Sequence, residues 1–331
     1  MKSVKEVGDF ENKKVLVRGD WNVPVGENGE ILDASRIEVS LPTVEYIKNR
    51  NGIPIIASHF GREGESIEPI ITYAKKNYLI LEEGVEFLEN LRQNSGEETN
   101  SEEFAKELAS KAEFYVNEAF STSHREHASI VGVPKLLPSF AGLRFVEEFE
   151  KLSTAFNPEH PFLLILGGAK FETKLPLVKK FLNIADYIFI GGALAQKALE
   201  TESLTQNPKI ILPVGDLSAL DINQETLVLL KSKIENSKFV LWNGPLGKYE
   251  DGYKEGTLRL TQMLVDSSAP DFAKATPGKK VIIGGGDTEN VIDELNISHK
   301  FFFVSLAGGA MLEFLANGTL PGIEALNQTP S

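Results

Sequence analysis

Apolar residues recur along this chain in short runs that stop at glycine or at polar side chains, separated by stretches whose apolar positions lie three or four apart. The runs are residues 14–18, with Lys14 and Arg18 at their ends, 53–57, 85–88, which hold Glu86, and 114–116 in the first half, and 162–166, 187–190, 239–242, 281–283 and 301–304 in the second. Runs of this length predict strands. Residues 35–49, with Pro42 near the start, and 101–111 predict helices between them. Leu143, Val146, Phe149, Leu152 and Phe156 repeat at helical spacing, so 142–156 predicts one more helix, which Pro158 and Pro161 terminate. Strand alternating with helix predicts an α/β fold with mainly parallel sheets, and the domain boundary is placed on or just after the 142–156 helix, dividing the chain into 1–150 and 151–314.

In a parallel sheet all carboxyl ends share one edge, and ligands bind there. Four runs of the first half end in polar or cationic groups: Arg18-Gly19-Asp20-Trp21-Asn22, Ser58-His59-Phe60-Gly61-Arg62, Glu89-Asn90-Leu91-Arg92, and Asn117 to Arg125. The runs of the second half end in small residues, among them Gly167-Gly168-Ala169-Lys170, Gly191-Gly192, Asn243-Gly244-Pro245 and Ala307-Gly308-Gly309. The run 281–283 leads into Gly284-Gly285-Gly286-Asp287-Thr288, which predicts a strand, a tight loop and a helix start. Glycines let backbone N–H groups approach an anion, and a helix N-terminus adds partial positive charge. Such turns also occur as plain structural turns, so the loop alone does not decide between the two.

Composition changes this picture in three places. The 331 residues suffice for about two domains. Without cysteine the chain has neither disulfide, thiolate ligand nor Cys nucleophile, and no apolar run is long enough to span a membrane, so a cytoplasmic protein is expected. A net charge of −13 argues against broad nucleic-acid binding. Residues 1–150 hold 17 Lys and Arg against 27 Asp and Glu, yet seven of the eight arginines lie there. Arginine suits bidentate recognition of carboxylate and phosphate, so a local anion site in the acidic half is a reading to set beside surface ion pairing.

The tracts VLVRGDWNVPV, SRIEVSLPTVEYI, SHFGR, LENLR, VNEAFSTSHREHAS, LGGAKFETK, WNGPLGKYE, IIGGGDT and LAGGAMLEFLANGTLPGIEAL together resemble the signature segments of phosphoglycerate kinases, in that family's order and over nearly the whole chain. The resemblance implies two Rossmann-like three-layer lobes joined by a hinge helix, with 3-phosphoglycerate on the N-terminal lobe and Mg-nucleotide on the C-terminal one. It also implies that the tail 315–331 returns to the first lobe and that the protein is a monomer. The implied reaction is reversible phosphoryl transfer from 1,3-bisphosphoglycerate to ADP, giving 3-phosphoglycerate and ATP. The acceptor carboxylate is ionised at neutral pH, so no general base is required.

Carried over by position, the resemblance assigns Asp20 and Asn22 to the glycerate end, and His59, Arg62, Arg92 and Arg125 to its phosphate. Arg36 goes to the transferring phosphoryl group. Lys170 and Lys174 would contact nucleotide phosphates, with Lys174 following the group in transit. Gly191, Gly192 and Leu220 would wall the adenine, Asn243 would approach the phosphates, and Glu250 would take the ribose hydroxyls. Gly285, Gly286 and Thr288 would cradle phosphate, Asp287 would bind Mg2+, and Gly308 and Gly309 would offer N–H groups to the phosphoryl in flight.

The chain departs from that pattern in four places. Residues 62–88 are compressed, and only five residues lie between Val214 and Leu220, near the expected adenine pocket. Gly215 stands where the family often has Asp, with Asp216 next to it. Ser305-Leu306-Ala307-Gly308-Gly309 replaces a usual Ser-Thr-Gly-Gly-Gly. These changes leave a second reading, a phosphoglycerate- or nucleotide-binding protein with little kinase activity. A dinucleotide-binding oxidoreductase would need GxGxxG after the first strand, which 18–22 does not supply.

Overall fold

The computed structural model describes residues 1–62, 64–268 and 278–328. The chain divides into two units, Met1–Glu150 with Thr319–Ser331, and Lys151–Gly318. Each is a parallel sheet with helices, a two-lobe α/β fold.

The first unit holds β1 (Lys14–Arg18), β2 (Ile53–Ala57), β3 (Glu86–Phe87), β4 (Phe114–Asn117) and β5 (Ser139–Ala141), in the order β3-β2-β1-β4-β5. Its helices are α1 (Ser35–Glu38), α2 (Leu41–Lys48), α3 (Glu68–Asn77), α4 (Glu102–Ala109) and α5 (Leu143–Ser153), the last of which crosses into the second unit. The helix expected over 35–49 is two helices. Pro42 lies in the first turn of α2, where its missing N–H costs nothing, while Ser40 Oγ donates to Ile37 O at 2.7 Å and accepts Trp21 Nε1–H at 3.0 Å. β3 keeps only two of the four expected residues, and α3 fills part of the compressed stretch. β5 went unread because three residues beside Pro138 carry no periodic signal.

The second unit holds β6 (Phe162–Leu166), β7 (Tyr187–Ile190), β8 (Ile210–Ile211), β9 (Phe239–Asn243), β10 (Lys280–Gly284) and β11 (Phe303–Ser305), in the order β11-β10-β9-β6-β7-β8. Its helices are α6 (Phe171–Phe181), α7 (Leu194–Leu199), α8 (Glu202–Thr205), α9 (Gln224–Asn236), α10 (Glu255–Ser268), α11 (Gly286–Glu294) and α12 (Gly309–Asn317). α12 ends on Gly318 at φ 83°, a left-handed cap that suits glycine. The chain then enters α13 (Pro321–Asn327) of the first unit, where Gly322 N–H donates to Ser123 O at 2.9 Å and Ala325 packs with Ile130 and Val131. The division between the units here falls between Gly318 and Thr319; residues 329–331 of the expected tail lie outside the described residues.

The inner strands of both sheets are buried on two faces. Val15, Val17, Val44 and Ile56 centre one core, and Leu163, Ile165, Val240, Trp242 and Ile283 the other. Strand order reverses between β1 and β4 in the first sheet and between β6 and β9 in the second. Crossovers leave in opposite directions at such a point, opening a crevice at the carboxyl ends of those strands.

Candidate active site

In the first unit the carboxyl end of β1 delivers Asp20 and that of β4 delivers Ser121, on either side of the reversal. Asp20 is 8% exposed, and its Oδ2 accepts hydrogen bonds from both Arg36 Nη1 and Ser121 Oγ. Burial alone would raise its carboxyl, but the Arg36 guanidinium and the Ser121 hydroxyl outweigh that and hold it below the ordinary value. His59, at the end of β2, is also buried, with Nδ1 3.8 Å from Asp20 Oδ1. Burial and the adjacent Arg18 push the imidazole down to about 3, so it is neutral at physiological pH. Arg18 Nη2 lies 3.3 Å from His59 Nδ1. A guanidinium can only donate, so Nδ1 accepts and the ring proton sits on Nε2.

Arg18, at the end of β1, is seated inside the fold. It is 1% exposed, donates from Nε to Ser129 Oγ at 2.8 Å, and lies 3.9 Å from buried Glu97. Asn22 Oδ1 accepts Gly61 N–H at 3.0 Å, fixing the loop that carries exposed Arg62. Arg92 donates from Nη1 to Gly61 O, and its Nε lies 3.0 Å from Glu98 Oε1 as an ion pair outside hydrogen-bond alignment. Arg125 is exposed, 3.5 Å from His124. Arg92 and Arg125 both act electrostatically on His59, which places these cations in one neighbourhood. Ser121 was missed; only its position after β4, opposite Asp20, marks it.

In the second unit the reversal lies between β6 and β9, and Lys174 spans it. Its Nζ donates to Gly167 O at the end of β6 and lies 3.4 Å from Asn243 O at the end of β9. Lys174 is 7% exposed, and burial pushes its ammonium down to about 8, with Asp287 opposing the shift. Lys170 is exposed at the N-cap of α6, one turn earlier. The strand ends meet too closely for side chains: a Cβ on Gly167 would lie 2.1 Å from Pro245 O. Gly192 has φ 59° and backs onto Gly168 N, with Gly191 before it.

The loop after β10 takes the expected form. Gly285 caps α11 at φ 106°, where a Cβ would meet Asn243 Nδ2 at 3.2 Å, and α11 begins at Gly286. Thr288 is fully buried and its Oγ1 accepts Gly244 N–H at 3.1 Å, so here it ties the loop to β9. Asp287 is exposed in the first turn. After β11, Gly308 has φ 50° and caps α12, which starts at Gly309. Ala307 is not among the positive-φ residues, so its methyl group brings no backbone strain where the family has glycine.

A cavity of about 250 Å3 is lined by Gly192, Val214, Asp216, Asp221, Asn223 and Leu246 among others. Leu220 is not part of its wall. That side chain is 46% exposed, and its carbonyl accepts Lys248 N–H at 2.8 Å. Gly215 turns the shortened segment at φ 86°, which brings Asp216 to the cavity. Glu250 is exposed in the turn Tyr249–Asp251 and is not among the residues that line the cavity.

The profile of the family described as phosphoglycerate kinase matches residues 4–80, 73–209 and 197–318. A relative from Finegoldia magna, named phosphoglycerate kinase, is 34% identical over 406 aligned positions, covering 99% of both chains. One of the same name from Aquifex aeolicus is 34% identical, covering 97% of this chain and 96% of its own. The alignments are longer than this chain, so the relatives carry segments that it lacks. Among solved structures, that of phosphoglycerate kinase from Coxiella burnetii superposes with a TM-score of 0.82 at 28% identity, covering 98% of both chains. That from Pyrococcus horikoshii matches at 0.82 and 24% identity, a likeness of fold. With the family profile and full-length relatives in agreement, this chain belongs to the phosphoglycerate kinase family.

Proposed function

We propose that the first unit binds 3-phosphoglycerate, the second binds Mg-ADP or Mg-ATP, and the chain moves a phosphoryl group reversibly between the glycerate carboxylate and the nucleotide. The observation that carries this reading is the placement of two chemically different sites at the two points of strand reversal, one cationic and one glycine-rich with a buried lysine. His59, neutral with its proton on Nε2, donates to the substrate anion, and Arg62, Arg92 and Arg125 neutralise the phosphate. Asp20 and Asn22 orient the glycerate end. The ionised carboxylate attacks the terminal phosphorus in line, and the terminal phosphate's bond to the nucleotide β-phosphate breaks with the charge leaving onto ADP. Arg36, Lys174 and the N–H groups of Gly308 and Gly309 offset charge on the group in flight.

A magnesium ion fits this donor set. Among the described residues no three acidic or histidine side chains cluster as a metal cage, and Mg2+ is ordinarily held by one or two carboxylates with substrate phosphates and water. Asp287, exposed at the first turn of α11, would supply that carboxylate, and the ion would neutralise charge on the nucleotide phosphates. Gly285 and Gly286 line the phosphate end, with Thr288 holding their loop against β9, Lys170 and Asn243 flank it, and Gly192, preceded by Gly191, lines the cavity assigned to adenine. The protein acts as a cytoplasmic monomer with no nucleic-acid or membrane partner. A net charge of −13 argues against broad nucleic-acid binding; no helix among the described residues is long and apolar enough to cross a membrane.

Calorimetry with each ligand tests the division of labour. Arg125→Ala is expected to weaken 3-phosphoglycerate binding by roughly 1.5–3 kcal/mol, the worth of a charged hydrogen bond, with Mg-ADP affinity unchanged. Equal weakening of both ligands would overturn it.

A further inference from the structure

Glu118 is a buried carboxyl to which the reaction assigns no role. It follows β4 directly, is 6% exposed, and its own N–H donates to Arg18 O at 2.9 Å. Its side chain does not face the ligand site. Oε1 accepts Thr43 Oγ1–H at 2.7 Å and Arg144 N–H at 3.0 Å, and Oε2 accepts Phe145 N–H at 3.2 Å. Thr43 Oγ1 in turn accepts Leu143 N–H at 2.8 Å. Gly142 leaves room for this, since a Cβ there would lie 1.8 Å from Oε2. The first three N–H groups of α5, which have no partner within the helix, are therefore all met by one hydroxyl and one carboxylate. At its other end the same loop carries Ser121, bonded to Asp20, and Arg125.

We propose that Glu118 is a positioning residue: its carboxylate clamps the substrate-binding loop after β4 to the first turn of α5, the helix along which the chain passes into the second unit. A carboxylate can accept all three donors at once. A neutral carboxyl carries a proton on one oxygen, which then opposes an N–H of α5, so protonation opens the clamp. Burial pushes Glu118 up to about 7, against the bonds from Thr43, Arg144 and Phe145. The charged group acting on it is Arg144, whose guanidinium is bonded to Glu147 and Glu148 at 2.8 Å each; α2 contributes the neutral Thr43, and β1 only a backbone carbonyl. The sign follows from linkage. A carboxyl raised in the fold contributes stability that is fully present below its unfolded value and is lost as pH rises through about 7. The ionised clamp is thus held at a cost to stability, which a merely structural cap would not impose.

The clamp rests on the kinase reading, and its test separates the two. Glu118→Gln fixes the neutral state. At about pH 8 it is expected to lower kcat/KM for 3-phosphoglycerate roughly tenfold, the scale of a slightly misplaced site, while its melting temperature equals or exceeds that of the parent. Because substrate phosphate titrates near pH 6, the quantity to read is the ratio of variant to parent, which should return to one as pH falls below about 6. Amide-exchange protection over 142–150 should fall in the parent through the same range and stay low in the variant. Unchanged kinetics, a deficit that persists at low pH, or a melting temperature that falls with activity would overturn the proposal. A parent that makes no ATP would sink the kinase reading alone, since amide protection still reports the clamp. If Glu118→Gln does not fold, Thr43→Val removes one donor to the carboxylate and should move the exchange midpoint upward; an unmoved midpoint overturns the proposal.

Discussion

Arg36→Ala is expected to lower kcat by about 3 kcal/mol, roughly two orders of magnitude, with Mg-ADP affinity unchanged, the scale of losing one preorganised donor at a transition state. A metaphosphate-like group spreads charge over its equatorial oxygens, and a planar guanidinium offers parallel N–H donors that an ammonium cannot. Arg36 here donates to Asp20 with its side chain 29% exposed, so it is held at the mouth of the glycerate site rather than sunk in the core. Removing it also leaves a buried carboxylate without its strongest partner, so Arg36→Lys is the companion variant. It retains a positive charge beside Asp20 and should melt near the parent, yet it recovers little of the rate. Near-parental turnover in either variant would take Arg36 out of the chemistry.

Lys174→Met carries the second large effect and a stability change of opposite sign. Its kcat/KM for Mg-nucleotide should fall on the order of 100- to 1000-fold, because the ammonium faces charge that develops on the transferred group. Burial holds Lys174 down to about 8 against an ordinary 10.5. The contribution of this group to stability is therefore fully present above 10.5 and is lost as pH falls through about 8, which makes the charged form at pH 7 a cost on the order of 3 kcal/mol. Methionine removes that cost, so the variant should melt higher than the parent at pH 7, with the advantage fading as pH rises toward 10.5. Nucleotide phosphates should restore the ammonium, and calorimetry near pH 8.5 in two buffers should find proton uptake in the parent and none in Lys174→Met. A variant that melts lower at pH 7, or uptake that survives the substitution, would contradict this role.

Much of this arrangement was legible because it follows from local pattern. Apolar runs marked nine of the eleven strands among the described residues, and what followed them, arginine and histidine in the first half and glycine in the second, suggested an anion site and a phosphate loop beside the plainer readings of ion pair and structural turn. The strand order was not legible, since period and propensity say nothing of neighbours. Yet the reversals of order give Asp20 and Lys174 their settings. Buried polar bonds at long sequence separation were equally silent: Thr43 lies 75 positions from Glu118, and Lys174 lies 69 from Asn243. Short elements such as β5 and β8 are too brief to show a period. The cavity wall at Gly192 and Asp216 rather than Leu220 follows from the turn at Gly215, whose left-handed backbone becomes visible only once the loop is built. The same holds for Ala307, whose methyl group sits on a backbone without positive φ.

The central claim is that two sites on two units act on one phosphoryl group, and a coupled assay with 1,3-bisphosphoglycerate and Mg-ADP tests it most directly. The account predicts ATP formed in step with 3-phosphoglycerate, dependent on magnesium and lost in Lys174→Met. Tight binding of both ligands with no ATP formed would contradict it.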